Sequence, residues 1–178
     1  MTKKTLKKNK TRFVALAAAS ADGRISLAKK TRPDWTSRED WDFFQNSLSR
    51  FDAVLVGRNT YKVAASRLRK RRTFVISSRP AKIIRRGSVS FINPAVISLE
   101  DVLSEFKSVA VLGGAAVYQK ILDLGLLDEI YITVEPLIFG RGRSMFTGGI
   151  RTARLRLLSV RRLNAAGTIL LHYEVIKK

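Results

Sequence analysis

The sequence predicts an α/β domain of three layers: a mostly parallel, twisted sheet with helices on both faces and a C-terminal antiparallel hairpin. Three observations carry this. Short apolar runs alternate with segments of helical periodicity, the pattern of a parallel sheet covered on both sides. Two long strand candidates close the chain, joined by Asn164-Ala165-Ala166-Gly167, which reads as a hairpin. The 178 residues, 46% of them hydrophobic, suit one domain with a real core.

The elements follow in order. Residues 13–19 are an apolar run, read as a buried first strand. The run falls far short of the roughly 18 residues that span a bilayer, and Asp22-Gly23-Arg24 follows in place of a leader cleavage site. Residues 36–50 read as a helix, because Trp41, Phe44, Leu48 and Phe51 recur at helical spacing. Thr36 or Ser37 can cap it, with Glu39 and Asp40 in the first turn. Strands are expected at 52–57, 73–77 and 89–92, then a helix at 99–107. A strand at 108–112 runs into Gly113-Gly114. A helix at 115–124 and a strand at 129–134 follow, and the hairpin strands are 154–163 and 168–176. No element is assigned between 58 and 72. Residues 1–12 are almost all Lys, Thr and Asn and are expected to form a basic, mobile arm ahead of a domain at 13–178.

Lys and Arg number 34 against 14 acids, a formal charge of +20. Such a surface attracts anions, among them phosphorylated cofactors and nucleic acid. The charge is spread along the chain, with no zinc-finger spacing and no aromatic RNA-binding signature, so nucleic-acid binding is the minor alternative. The absence of cysteine excludes disulfides, thiolate metal sites and a cysteine nucleophile. No acid or histidine spacing suggests a metal site. The single histidine, His172, lies in a terminal strand and is read as structural. The cytoplasm is the expected location, with no membrane span.

Ligands of open α/β sheets bind beyond the carboxyl ends of the strands. Three such ends carry suggestive residues. One runs into Gly57-Arg58-Asn59-Thr60, one into Ser77-Ser78-Arg79 and one into Gly113-Gly114-Ala115-Ala116. Glycine lets backbone approach a phosphate, and a following helix start presents free N–H groups. Arg58, Ser77, Ser78 and Arg79 suit an extra phosphate monoester, which favours NADPH over NADH. There is no Walker lysine motif and no complete G-x-G-x-x-G. Asp40 lies among Trp41, Phe43 and Phe44, where a carboxylate needs a partner or a raised pKa. A heterocycle with adjacent N–H donors is one such partner. Support of the helix N-terminus is the plainer alternative.

Together these segments, from 13 to 176, resemble dihydrofolate reductase and its structural cousin, the reductase domain of riboflavin biosynthesis. The spacing of Trp35, Asp40 and Phe44 is similar to the substrate-binding helix of dihydrofolate reductase. Val56-Gly57-Arg58-Asn59-Thr60-Tyr61 is similar to its Gly-Arg-x-Thr-aromatic motif, and Arg71 stands fourteen residues beyond Gly57. Phe74-Val75-Ile76-Ser77-Ser78 resembles the strand and loop for the 2′-phosphate. Val111-Leu112-Gly113-Gly114-Ala115-Ala116-Val117-Tyr118 resembles the Gly-Gly motif, and Ile130-Tyr131-Ile132-Thr133 the strand whose threonine braces the acid. Two segments are closer to the riboflavin reductase: Ser20-Ala21-Asp22-Gly23-Arg24-Ile25-Ser26, and Pro136-Leu137-Ile138-Phe139-Gly140-Arg141-Gly142.

The resemblance implies a dihydrofolate-reductase-like fold and NADPH-dependent reduction of 7,8-dihydrofolate. The alternative is the ribose of a phosphorylated ribosylaminopyrimidine. It implies that Asp40, with Thr133, anchors the pterin and promotes its protonation. Trp35, Phe44, Leu48 and Leu68 would enclose the substrate, and Arg71 would pair with its carboxylate. Ala18 and Ile25 would line the nicotinamide pocket. Gly57, Arg58, Asn59, Thr60, Ser77, Ser78, Arg79, Gly113, Gly114, Ala115, Ala116, Val117 and Tyr118 would bind the cofactor. Residues 22–34 would be a mobile flap over the nicotinamide. The resemblance is compatible with a monomer or a homodimer.

Overall fold

The structure is a computed structural model that describes residues 10–27, 34–148 and 152–177. Its main sheet has nine strands. In chain order they are β1 (Arg12–Ser20), β3 (Ala53–Gly57), β4 (Thr73–Ile76), β5 (Ile84–Arg86), β6 (Val89–Ile92), β7 (Ser108–Val111), β8 (Leu127–Glu135), β10 (Arg154–Arg162) and β11 (Ile169–Ile176). They lie side by side as β10-β11-β8-β1-β7-β3-β4-β6-β5. From β8 across to β6 every pairing is parallel. The C-terminal hairpin of β10 and β11 joins antiparallel at one edge, and β5 at the other. A separate two-stranded sheet pairs β2 (Arg24–Ser26) with β9 (Arg143–Ser144). Four helices complete the fold: α1 (Arg38–Leu48), α2 (Arg58–Leu68), α3 (Leu99–Leu103) and α4 (Ala115–Asp123).

Strand alternation divides the core in two. On one face Phe13, Ala15, Leu55, Val109 and Val111 pack against Leu103 of α3 and Val117, Tyr118 and Ile121 of α4. On the other, Val14, Leu16, Val54, Val56 and Ala110 pack against Leu48 of α1 and Leu68 of α2. The central strands are apolar through their middles because both faces are covered, and this gives the three layers expected from the sequence.

Local differences from the sequence expectation have local causes. The segment left unassigned after Gly57 is α2, whose small and polar residues blur its periodicity. The helix expected at 99–107 stops at Leu103. The Ser104 hydroxyl donates to the Asp101 carbonyl (2.7 Å), and Phe106 turns in to meet Phe74, with ring centroids 5.5 Å apart. β8 starts two residues early, and Asp128 Oδ2 accepts from the Phe13 N–H (2.8 Å) at a register shift in β1. Order begins ahead of residue 13: Thr11 is buried, its hydroxyl donating to the Leu103 carbonyl (3.1 Å), and Arg12 opens β1. Residues 1–9 of the expected arm, and 28–33 of the expected flap, lie outside the described residues. His172 stacks on Tyr131 (centroids 3.9 Å apart) and contacts Glu129 (2.8 Å), in keeping with a structural role. No helix among the described residues is long and apolar enough to cross a membrane.

Candidate active site

The sheet itself makes the cleft. β7 pairs with β1 only as far as Ala15, while β1 continues to Ser20 against β8 alone. Beyond the end of β7 the inner edge of β1 is left open. The Tyr118 hydroxyl takes over there, donating to the Leu16 carbonyl (2.6 Å). A cavity of about 650 Å³ opens at this level, over the carboxyl ends of β1, β3, β4 and β7.

Its floor and one wall come from turns. Gly57 N–H donates to the Gly113 carbonyl (2.6 Å), tying two strand ends together. A Cβ on Gly57 would lie 3.0 Å from a Val117 methyl. Gly113 has φ +76°, and a Cβ there would meet the Tyr118 ring at 2.5 Å, so neither position accepts a side chain without displacement. The helices that start here are capped unlike the others. α1 and α3 have serine caps, Ser37 and Ser98, whose hydroxyls accept from the Asp40 and Asp101 N–H groups. α2 and α4 begin at Gly57 and Gly114 with no side-chain cap bond. Their first-turn N–H groups stand at the cleft without a capping partner. Arg58 donates a hydrogen bond to the Ser77 hydroxyl, and Ser78 and Arg79 complete that corner.

The opposite wall is α1. Its apolar stripe, including Trp41, Phe44 and Leu48, faces the cavity, and Asp40 shares that side. Asp40 is buried. Desolvation pushes its pKa up; hydrogen bonds with Thr133 and Thr36 work against this, and the charge of Glu135 adds to it. Trp35 meets Phe139 edge-on with centroids 5.0 Å apart. Arg71 donates to the Leu48 carbonyl at the end of α1 (2.9 Å), which uses one guanidinium N–H and anchors the fork beside the cavity.

Every residue singled out from the sequence lines this one cavity except Gly113, which shapes it from behind through its carbonyl. Sequence reasoning missed others. Val63, Ala64 and Arg67 join the expected Thr60 and Leu68 in one helical stripe on α2, a spacing visible once 58–68 is read as a helix. Arg67 lies over Trp41, 4.4 Å from the ring centroid. Ser26 and Arg143 reach the cavity from the small β2–β9 sheet. Among the described lining residues, five arginines (58, 67, 71, 79 and 143) surround one acid, Asp40. That balance suits a ligand with more than one anionic group and a planar, hydrogen-bonding centre. No grouping of described residues has the makings of a metal site.

A doubly wound sheet whose cleft is lined by glycine turns, serines and arginines defines the class: an α/β domain of the dihydrofolate-reductase-like fold. The chain belongs to the dihydrofolate reductase family, whose model matches residues 12–141. It is 22% identical over 166 residues to the uncharacterized protein YyaP of Bacillus subtilis (strain 168), covering 84% of this chain and 88% of that one. Its structure is similar to RibD of Acinetobacter baumannii, with a TM-score of 0.77 and 18% identity over 95% of this chain and 59% of that one. It is also similar to dihydrofolate reductase from Enterococcus faecalis complexed with NADP(H), with a TM-score of 0.65 and 20% identity over 94% of this chain and 98% of that one.

Proposed function

We propose that the protein reduces 7,8-dihydrofolate to tetrahydrofolate by hydride transfer from NADPH. The observation that carries this is the buried carboxyl of Asp40, the one acid among the described residues lining the cavity, set in an aromatic and apolar wall opposite two bare helix starts. NADPH fits the residues present. The Gly57 and Gly114 helix starts suit a pyrophosphate. Arg58, Ser77, Ser78 and Arg79 suit a 2′-phosphate, and Ala18 and Ile25 give apolar cover for a nicotinamide. The cofactor, when bound, supplies the hydride.

The chain's own residues supply alignment and a proton site. Asp40 accepts from the amidine edge of the pterin, and Thr133 fixes the carboxyl's orientation. A carboxyl whose pKa is raised holds a proton closer to neutral pH and passes it on more readily. Phe44, Leu48 and Leu68 hold the ring and exclude water, and Arg71 pairs with the carboxylate tail.

A second reading is reduction of the ribose of a phosphorylated ribosylaminopyrimidine. The likeness to RibD and the extra cations Arg67 and Arg143 favour it. Purified protein assayed by NADPH absorbance with the two substrates side by side decides between them. Oxidation with dihydrofolate that is lost in Asp40→Asn supports the first reading. Oxidation only with the aminopyrimidine replaces it with the second, and none with either rejects both.

A further inference from the structure

Two carboxylates are buried among the described residues, Asp40 and Glu135. Glu135, at the end of β8, is the more enclosed, and no cation pairs with it among the described residues despite the chain's large positive charge. It is held by neutral donors instead. Its Oε1 accepts from the Ser37 N–H (2.7 Å) and hydroxyl (2.9 Å), and its Oε2 from the Thr168 hydroxyl (2.7 Å).

Ser37 is the cap of α1, and its hydroxyl accepts from the Asp40 N–H (3.2 Å). Thr168 is fixed in turn by Asn164, whose amide nitrogen donates to the Thr168 hydroxyl (3.0 Å) and to Glu39 Oε2 (3.1 Å). The turn of the C-terminal hairpin therefore grips the first turn of α1 at two points. A glutamine would satisfy the same contacts, since its oxygen accepts from Ser37 and its amide donates to the Thr168 oxygen. A buried carboxyl is costlier to desolvate than an amide, so the choice of Glu over Gln needs its own explanation.

We infer that Glu135 is a positioning residue for Asp40: it clamps the cap of α1 against the hairpin turn and sets its carboxyl within electrostatic reach of the Asp40 carboxyl. The inference rests on the reading of Asp40 as the group that holds the substrate. The groups bearing on Asp40 are Thr133 and Glu135 from β8 and Thr36 from ahead of the helix. On α1 itself Arg38 pairs with Asp42, and Glu39 with Asn164.

The test is a carboxyl titration of Asp40 by carbon-13 NMR in the full, ligand-free chain, with Asp40→Asn giving the assignment. In Glu135→Gln, Asp40 should titrate at lower pH than in the wild type while its amide keeps wild-type hydrogen exchange. In Glu135→Ala the same fall should come with faster exchange at that amide. An unchanged Asp40 titration in Glu135→Gln overturns the inference, and this variant decides alone should Glu135→Ala not fold. With substrate present, the pH profile of kcat should move to lower pH in Glu135→Gln while the KM for NADPH stays put. Failure to turn over either substrate would refute the reductase reading, and the titration would still judge Glu135.

Discussion

Replacing Tyr118 with phenylalanine isolates the contact that closes the sheet where β7 ends. The Tyr118 hydroxyl donates at 2.6 Å to the Leu16 carbonyl, and both residues are buried. Phenylalanine keeps the ring beneath Gly113, so no cavity forms, but it leaves a buried carbonyl without its donor. That omission costs about 1–3 kcal/mol. At roughly 2–4 °C per kcal/mol for a chain of this size, the melting midpoint should fall by about 2–12 °C. Burial also pushes the pKa of this hydroxyl well above its ordinary value of 10.0. The unfolded chain therefore releases that proton first, and the wild type loses stability as pH rises beyond the ordinary tyrosine value. Tyr118→Phe has no such proton to lose. Urea denaturation at neutral pH and across the alkaline range measures both effects: a clear gap at neutral pH that narrows as the medium becomes more alkaline. Equal urea midpoints at neutral pH, or a gap constant throughout, would refute the reasoning.

Asp40→Asn should cut turnover by about 10²–10⁴, the usual share of a general acid. It should also raise the melting temperature at neutral pH, because a carboxyl with a raised pKa costs stability once the pH exceeds that pKa. Arg58→Ala should weaken NADPH binding by roughly ten- to a hundredfold, the worth of about 1.5–3 kcal/mol for hydrogen bonds to a charged group. NADH binding, read by fluorescence titration, should change little. Asp22 accepts from the Ser20 hydroxyl (2.6 Å) and the Phe139 and Gly140 N–H groups (3.0 and 2.9 Å), which hold its pKa at about 2. Its contribution is present above the ordinary value of 3.8 and lost as pH falls through about 2. An acid titration of Asp22→Asn should lack that portion of the wild-type loss.

What was legible in the sequence depended on whether the signal was local. The central strands announce themselves because two covered faces demand unbroken apolar runs, as in Val54-Leu55-Val56. Asp40 stood out because a carboxylate among Trp41, Phe43 and Phe44 is anomalous within a few residues of itself. α2 was hidden because its cleft-facing side carries Thr60 and Arg67 while its other side carries Ala65, which blurs the contrast that periodicity needs. Glu135 was invisible for a different reason. Its partners Ser37 and Thr168 lie 98 and 33 residues away, and only the sheet order brings them together. The small β2–β9 sheet has strands of three and two residues, too short to form any pattern.

The uneven capping of the four helices has a thermodynamic consequence. α1 and α3 complete their first turns with serine oxygens of their own caps. α2 and α4 lack that completion from a side chain, and on the proposed function a dinucleotide would supply it. Ligand binding and the ordering of these two helices then become one equilibrium, and dinucleotide should stiffen the strand-end turns far more than the hairpin side of the molecule. Serine at 114 would supply the missing cap from within the chain and compete with an anion for the same N–H groups, trading affinity for rigidity.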